Sequence, residues 1–217
     1  CTQLNYLRAE VSSHYYLLFT SPPNTKVKDL KKLTFEAYYS FDNLGLRYLG
    51  KCIKALPVLD SLELHFLSCP NLSDEGIEYL QQGYKHSKTL RNLSIEMSIC
   101  NQITDKFFGY FHQGLTTLQE LKGLELNIKW ADSITDRGLD YLHYGLRNLN
   151  KLEKLCLLFT MCKELTDKGL ANLSQGISHL TNLQSFQLYF KLNYRISDRG
   201  LKVLMESLRS TRCLKKV

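Results

Sequence analysis

The sequence predicts an α/β fold in which short parallel strands alternate with helices along a curved solenoid. Within the 217 residues, five aspartates recur at a constant interval of 31 residues, as Asp74, Asp105, Asp136, Asp167 and Asp198. Self-similarity at a fixed period is the sequence signature of repeat architectures. Each unit has apolar residues at every second position in its first half and at helical spacing in its second half, which predicts one strand and one helix per unit.

The strand half of each unit follows the pattern LxxLxLxh, in which h is apolar. In the segment SLELHF, Leu62, Leu64 and Phe66 fall on one face of the predicted strand, and Glu63 and His65 fall on the other. Shifts of 31 residues align this segment with NLSIEM, GLELNI, KLCLLF and SFQLYF. We therefore expect parallel strands that bury one face and expose the other.

The helix half of each unit begins at a Ser/Thr-Asp pair. A hydroxyl at this place accepts a hydrogen bond from a backbone N–H of the first turn, and the helix dipole favours the carboxylate that follows. We therefore expect the pair to cap each helix. A glycine column late in the helices leaves two interpretations open, a close approach of neighbouring helices or a left-handed turn. Its members are Gly83, Gly114, Gly145 and Gly176.

The units start near residues 4, 30, 59, 90, 121, 152 and 183, and a partial unit starts at 214, so residues 1–217 are expected to form a single array. Parallel strands lie about 4.8 Å apart, whereas packed helices lie about 8 to 10 Å apart. The array should therefore curve, with its strands on the concave face and its helices on the convex face. Because neither end shows a capping unit, we expect a fragment of a longer chain.

The pattern LxxLxL followed by a helix resembles the leucine-rich repeats, and the long helical unit is similar to their ribonuclease-inhibitor-like subclass. The phrases ITDRGL (134–139) and LTDKGL (165–170) resemble repeats of F-box-associated proteins and of large ciliate repeat proteins. The resemblance implies a protein-binding solenoid, with ubiquitin-ligase substrate recognition or regulation of a GTPase or nuclease as alternatives. The asparagine ladder of the family is expected to be absent, because its place is taken by Cys69, Cys100, Ala131 and Cys162.

Composition and charge exclude several classes of protein. With 44% hydrophobic and 23% charged residues, the chain is typical of a globular protein, and its longest strongly apolar run, 15–19, is too short to insert into a membrane. The net charge of +7 permits an acidic partner but falls short of dense nucleic-acid-binding clusters. Seven cysteines without a CxxC pair indicate an intracellular, cytoplasmic or cytoskeletal location. A disulfide between Cys69 and Cys100 on adjacent units stays an alternative.

The sequence contains no recognisable catalytic motif. The patterns GxxxxGK[S/T], GxGxxG, HExxH and GxSxG are all missing. We therefore expect a protein that is not an enzyme and has no cofactor or metal. His112 and His143 are one unit apart, but two histidines without a third ligand are weak evidence for a metal site. Solvated helix positions are the expectation for both.

The exposed strand positions are the predicted partner-binding surface. Glutamates are frequent there in the first five units, whereas Leu158 and Tyr189 form an apolar end. Because aromatic and aliphatic anchors are typical of interface centres, we expect a protein partner with a basic segment and an apolar group. The predicted contact residues are Glu63, His65, Glu96, Glu125, Asn127, Leu158, Gln187 and Tyr189.

A second candidate surface is a basic column at the helix starts, formed by Lys106, Arg137, Lys168 and Arg199. Such a column could contact phosphates or an acidic tail with salt-dependent affinity. Adjacent aspartates partly neutralise it and no stacking aromatics accompany it, so nucleic acid is the less favoured partner. The sequence thus predicts a non-catalytic scaffold that binds proteins, alone or as a subunit of a large assembly.

Overall fold

The structure, a computed structural model of the chain, describes residues 6–11 and 28–209. The predicted unit starts at residues 4 and 214 lie outside these residues. The described residues form seven strands and six helices. The strands are β1 (Tyr6–Val11), β2 (Lys32–Tyr38), β3 (Ser61–Leu67), β4 (Asn92–Ser98), β5 (Gly123–Lys129), β6 (Lys154–Thr160) and β7 (Ser185–Lys191). The helices are α1 (Asn43–Lys54), α2 (Asp74–Tyr84), α3 (Asp105–Leu115), α4 (Asp136–Leu146), α5 (Asp167–Ile177) and α6 (Asp198–Arg209).

The seven strands pair in parallel in one sheet, in the order in which they occur in the sequence. Pairing joins residues that occupy the same place in successive units, so that Leu62 is opposite Leu93 and Leu93 is opposite Leu124. The helices pack side by side, each against the next, and share one core with the sheet. The predicted α/β leucine-rich-repeat solenoid, with strands on its concave face and helices on its convex face, is therefore confirmed.

Alternate strand residues enter a continuous core between the sheet and the helices. Leu62, Leu64 and Phe66 of β3 are fully buried, whereas Glu63 and His65 between them are partly exposed. The same alternation repeats in β4, β5 and β6. Burial of each large apolar side chain contributes roughly 1.5 to 3 kcal/mol, and in a solenoid this contribution arises within a unit and between adjacent units.

The repeated aspartates join each unit to the next. The carboxylate of Asp136 accepts a hydrogen bond from the backbone N–H of Thr166 at 2.8 Å and another from the Thr166 hydroxyl at 2.6 Å. The same two bonds join Asp74 to Thr104, Asp105 to Thr135 and Asp167 to Ser197. We call this series the aspartate ladder. Each of these carboxylates therefore stabilises the start of its own helix and also binds the start of the next helix.

The hydroxyls of the aspartate ladder also cap helices, as predicted. Thr135 and Thr166 each accept a hydrogen bond from the backbone N–H two residues later, at 3.2 Å. Ser73 makes no such cap bond. It receives instead a bond from Asn43, whose Nδ2 donates to the Ser73 hydroxyl at 2.8 Å and whose Oδ1 accepts from the Ser73 N–H at 3.0 Å. Asparagine thus replaces aspartate at the first step of the ladder.

A glycine two residues after four of the five repeated aspartates provides the space for this bond, and Phe107 takes the place after Asp105. A Cβ atom on Gly138 would lie 2.8 Å from Oδ1 of Asp105, and one on Gly169 would lie 2.5 Å from Oδ1 of Asp136. The phrase ITDxGL is thereby explained by the fold. Its apolar ends are buried, its threonine caps the helix, its aspartate binds the next unit and its glycine accommodates the preceding one.

The glycines late in the helices allow neighbouring helices to approach closely. A Cβ atom on Gly83 would lie 2.5 Å from the carbonyl oxygen of Gly50, and one on Gly176 would lie 2.9 Å from Cα of His143. No glycine among the described residues has a positive φ. Of the two interpretations, close approach is therefore correct and the left-handed turn is wrong.

The cysteine column also connects neighbouring units. The buried thiol of Cys69 donates a hydrogen bond to the carbonyl of Ala37 at 3.5 Å, and Cys100 and Cys162 donate to the preceding strands in the same way. These three cysteines are free. Small buried turn residues are therefore the correct interpretation of the column, and the disulfide between Cys69 and Cys100 is not formed.

An asparagine occupies the cysteine column in the last described unit, which corrects the expectation that the column has none. Asn193 lies 31 residues after Cys162. Its Oδ1 accepts a hydrogen bond from the Cys162 N–H at 2.7 Å, and its Nδ2 donates to the carbonyl of Phe159 at 2.7 Å. The residue is buried, so both ends of its amide are satisfied inside the protein.

We expect Asp136→Ala to lower the free energy of unfolding by about 1 to 3 kcal/mol, because the N–H and hydroxyl of Thr166 lose their acceptor. Asp136→Asn should lose less, since Asn43 already fills this role in another unit. Urea denaturation measures both, with Asp140→Ala on the same helix as a control outside the ladder. Equal losses for Asp136→Ala and Asp140→Ala would contradict the ladder.

Candidate functional site

Four positions of each strand point away from the core and form the concave surface. In β3 these are Ser61, Glu63, His65 and Leu67, which are all partly exposed. Strand pairing sets the equivalent positions of successive strands side by side, in four columns across the sheet. The predicted contact residues all belong to the second and third of these columns.

Two glutamates at the start of the sheet, Glu36 and Glu63, already have cationic partners. Arg8 lies 2.7 Å from Glu36, and Lys32 lies 2.6 Å from Glu63. Glu63 also accepts a hydrogen bond from the Thr34 hydroxyl at 2.9 Å, and these contacts with Lys32 and Thr34 hold the pKa of its carboxyl below the ordinary value despite the opposing effect of burial. The predicted contact residue Glu63 therefore belongs to a network within the sheet.

The concave surface as a whole is less acidic than its glutamates alone suggest. The two columns of predicted contact residues contain all five glutamates, whereas the other two columns contain lysines, of which Lys32 and Lys129 contact glutamates. Over the described residues of the four columns, five basic residues oppose five glutamates, as Arg8, Lys32, Lys129, Lys154 and Lys191 against Glu10, Glu36, Glu63, Glu96 and Glu125.

His65, Glu96 and Lys129 form a chain of ionic contacts across three strands. His65 Nδ1 lies 3.2 Å from one carboxylate oxygen of Glu96, and Lys129 Nζ lies 2.6 Å from the other. The contact with His65, followed by that with Lys129, lowers the pKa of Glu96 to about 2. The same carboxylate raises the pKa of His65, although burial opposes this rise. The charge of His65 is therefore set by Glu96.

A groove of about 340 Å³ crosses the middle of the concave surface. Small residues line much of it, including Ser94, Gly123 and Cys156. Glu125 lies in this groove, is exposed and forms no ion pair with a described residue. Gln187 lines its far side and accepts a hydrogen bond from the Cys156 thiol at 3.6 Å. The groove therefore offers one free carboxylate over a floor of small side chains.

Apolar side chains follow at the C-terminal end of the sheet. Leu158 is paired with Tyr189, whose side chain is 54% exposed. Leu158 itself is half-buried and so less accessible than expected. On the adjacent strand, Asn127 has a buried Oδ1 that no described group satisfies. A buried acceptor without a donor is unfavourable by about 1 to 3 kcal/mol. Because the Asn127 residue is partly exposed, rotation of its side chain would bring this oxygen to the surface beside the apolar pair.

A row of residues directly after the strands has left-handed backbone conformation. We call it the strand-end row, and its φ values lie between 48° and 60° at Tyr39, Ser68, Ile99, Trp130, Met161 and Leu192. The N–H groups of the first five residues extend the strand pairing by one bond, as from Trp130 to the Thr160 carbonyl at 2.9 Å. The row was not predicted from the sequence, although Ile99, Trp130, Met161 and Leu192 recur at an interval of 31 residues.

The strand-end row is unusual because glycine is absent from it. An L-residue other than glycine is less stable in this conformation by roughly 1 to 2 kcal/mol. Yet Tyr39, Ile99, Trp130 and Leu192 are large and 41 to 67% exposed. Exposed apolar side chains on an unfavourable backbone contribute little to folding, so the row is a candidate for contact with another molecule.

The predicted basic column at the helix starts is exposed at all four positions, which are Lys106, Arg137, Lys168 and Arg199. Each residue follows an aspartate of the ladder. The Arg137 guanidinium donates a hydrogen bond to the Tyr141 hydroxyl at 3.0 Å and lies over its ring. The cations of this column thus alternate with carboxylates and do not form a continuous positive strip.

The two histidines of the helices are not solvated, which corrects the expectation for them. His143 is only 9% exposed, and its Nδ1 lies 3.0 Å from the carbonyl oxygen of Asn172. His112 is half-buried, and burial lowers its pKa. Over the described residues, no group of three His, Cys, Asp or Glu side chains could hold a metal ion. The helices within the same residues are all too short or too polar to cross a membrane.

We expect Glu96→Gln to lower the pKa of His65, because it removes the carboxylate that raises this pKa while burial continues to lower it. NMR titration of the His65 ring measures the change, and Glu125→Gln is a control that should leave the value unaltered. In the unmodified protein the contact between His65 and Glu96 makes its full contribution to stability below pH 6.5, which is the ordinary pKa of histidine. This contribution is lost as pH rises through the higher folded-state pKa. An unchanged titration in Glu96→Gln would rule out the coupling.

We expect Ile99→Gly to maintain or raise the free energy of unfolding, by up to about 1 kcal/mol, because glycine relieves the left-handed backbone. Val58→Gly is a matched control, since Val58 is also exposed and β-branched but lacks a positive φ. That control should lose about 0.5 to 1 kcal/mol. A clear loss of stability in Ile99→Gly alone would show that the row serves the fold.

Comparison with known proteins identifies structures of similar fold. No protein-family model matches the chain, and no curated protein matches its sequence. The tropomodulin C-terminal domain of Caenorhabditis elegans superposes with a TM-score of 0.53 at 13% identity, covering 79% of this chain and 93% of that one. The structure of leiomodin-1 actin-binding site 2 superposes with a TM-score of 0.50 at 16% identity, covering 71% of this chain and 91% of that one. The yeast Rad7 and Elc1 complex gives 0.53 at 17% identity, covering 84% of this chain and 49% of that one. These likenesses support the leucine-rich-repeat fold.

Proposed function

We propose that the protein is a non-catalytic scaffold that binds a protein partner on the concave sheet and along the strand-end row. The observation that carries this proposal is the exposure of large apolar side chains on left-handed backbone at Ile99, Trp130 and Leu192. Burial against a partner would turn each of these side chains into a source of binding energy.

The apolar end of the concave sheet supplies the second part of this surface. Tyr189 and Leu158 lie on β7 and β6, the strands that lead into Leu192 and Met161 of the strand-end row. Aromatic residues are over-represented among the side chains that dominate binding energy, because they bury a large area with few rotatable bonds. We therefore place the main anchor of the partner here.

The polar part of the surface selects the chemistry of the partner. Glu125 lies free in the groove, and the partly exposed Asn127 follows two residues later on the same strand, with an acceptor that rotation of the side chain would expose. A partner that places one cationic or N–H group over these residues and an apolar side chain on Tyr189 would match both features. Glu63, His65 and Glu96 would contribute less, because they are already paired and would have to exchange partners.

The architecture favours such binding because its side chains are positioned before the partner arrives. Strand pairing holds the columns in place, so little conformational entropy remains to be lost on association. The leiomodin-1 structure of similar fold is described as an actin-binding site, which supports protein binding as a use of this architecture. A place within a larger assembly, and the cytoplasmic or cytoskeletal location expected from the cysteines, are part of the proposal.

No specific observation favours the other candidate functions. Ubiquitin-ligase recognition depends on the phrase ITDxGL, and the fold explains five of its six positions. Regulation of a GTPase or nuclease depends on similarity of fold alone. Nucleic-acid binding at the helix starts depends on a column whose cations alternate with carboxylates. We therefore retain the protein-binding scaffold.

We expect Trp130→Ala with Tyr189→Ala to reduce capture of partner proteins from cell extract more than about tenfold, as for residues that dominate an interface. The matched control is Tyr144→Ala, which removes an aromatic side chain that is 40% exposed on the convex face. Quantitative mass spectrometry compares the captured proteins, and circular dichroism checks that both variants fold. Loss of the same partners in the Tyr144→Ala variant would place the binding surface on the helices.

A further inference from the structure

Positive charge is concentrated on the edge where helices end and strands begin. We call this the helix-exit edge and define it as residues 28–32, 51–61, 81–92, 112–123 and 143–154. It contains twelve lysines and arginines but only four carboxylates, whereas the described residues contain 24 basic and 21 acidic residues in total. The twelve are Lys28, Lys31, Lys32, Lys51, Lys54, Lys85, Lys88, Arg91, Lys122, Arg147, Lys151 and Lys154. The remainder of the described chain is therefore net negative.

Part of this charge has a role in the fold. Lys51 and Lys54 lie in the last turn of α1, and Lys85 and Arg147 are the C-cap residues of α2 and α4. Cations at these places interact favourably with the negative end of the helix dipole. The other eight cations lie beyond the helices, so the dipoles do not account for them.

Ion pairs account for half of these eight. Lys32, Arg91, Lys122 and Lys151 each contact a carboxylate on a neighbouring unit. The four that form no ion pair with any described residue are Lys28, Lys31, Lys88 and Lys154, and all four are exposed. Unpaired like charges at close spacing repel one another, so their accumulation on one edge has no benefit to folding.

Two adjacent grooves lie among these unpaired cations. A groove of about 330 Å³ is lined by Lys31, Lys88 and Arg91 together with Asp60 and Glu120. A second groove, of about 410 Å³, is lined by Lys85, His86 and Lys88, again with Glu120. Lys88 therefore borders both grooves, and a ligand lying across it would contact cations of three successive units.

The chemistry of the edge favours carboxylates of a protein over the phosphates of nucleic acid. Ten of its twelve cations are lysines, which bind an anion as point charges and do not by themselves distinguish a carboxylate from a phosphate. Arg91 is held by Asp60, and Arg147 lies over the Tyr144 ring. Asp60 and Glu120 would repel a phosphate backbone, whose charges recur at a fixed spacing, and no Phe, Tyr or Trp side chain lines either groove.

We propose that the helix-exit edge is a second binding surface, which takes a carboxylate-rich segment of a partner protein around Lys31 and Lys88. Aspartate or glutamate side chains of this segment pair with the exposed lysines, and the interspersed Asp60 and Glu120 restrict where each carboxylate can lie. Association is accelerated by the polarised charge of the molecule and slows as salt is added.

The test compares two variants with the same change in net charge. Lys31→Glu with Lys88→Glu alters the helix-exit edge, and Lys106→Glu with Lys168→Glu alters exposed residues at the opposite, helix-start edge. Fluorescence anisotropy with a labelled oligoglutamate peptide measures affinity at low salt, and a short DNA duplex is measured in parallel. We expect the first variant to bind the peptide about tenfold more weakly and the second variant less than about twofold more weakly.

Three outcomes would overturn the proposal. Equal weakening in both variants would mean that the peptide senses only net charge, and no measurable binding by the unmodified protein would leave the edge without a ligand. Tighter binding of the duplex than of the peptide, lost with Lys31→Glu and Lys88→Glu, would identify a nucleic-acid surface. The proposal is independent of the concave surface, because Trp130→Ala with Tyr189→Ala should leave peptide binding unchanged.

Discussion

The two hydrogen bonds from each ladder aspartate to the Ser or Thr of the next unit are the constraint on which the solenoid depends. They fix where one helix starts relative to its neighbour, and thereby the distance between helices. Three other residue choices follow from them. The Ser or Thr hydroxyl both caps its own helix and donates a hydrogen bond to the preceding unit. The residue two positions after the aspartate is usually glycine, and Asn43 takes the place of the aspartate at the first step. On the strand side, thiols and Asn193 make comparable bonds between units.

Features that arise within one unit could be predicted from the sequence, and features that arise between units largely could not. The alternation of Leu62, Glu63 and Leu64 sufficed to assign the buried and exposed faces, because strand geometry alone dictates it. The ion pairs of Glu63 and Glu96 were missed because their partners, Lys32 and Lys129, lie one unit away in columns that were not considered. The left-handed strand-end row was missed because glycine, the usual sign of positive φ, is absent from it.

The two proposed surfaces differ in chemistry and meet at the first column of exposed strand positions, where Lys32 and Lys154 belong to both. The concave sheet and strand-end row combine apolar anchors with one free carboxylate, which favours slow dissociation of a bound partner. The helix-exit edge is cationic and exposed, which favours rapid, salt-sensitive association. Because the first surface lies where strands end and the second where strands begin, one extended partner could occupy both, or two partners could bind at the same time.

The aspartate ladder has a consequence for how the array holds together. Each of its bonds joins a unit only to the next one. The stability of the array therefore depends on separate interfaces between neighbouring units, and unfolding begins at the weakest of these interfaces. A molecule lying across β4 to β7 would contact four units at once and hold together the three interfaces between them. A partner bound to the concave surface would therefore stabilise the three interfaces that it spans and leave those between β1 and β4 unchanged, so that unfolding of the bound protein would begin at the β1 end.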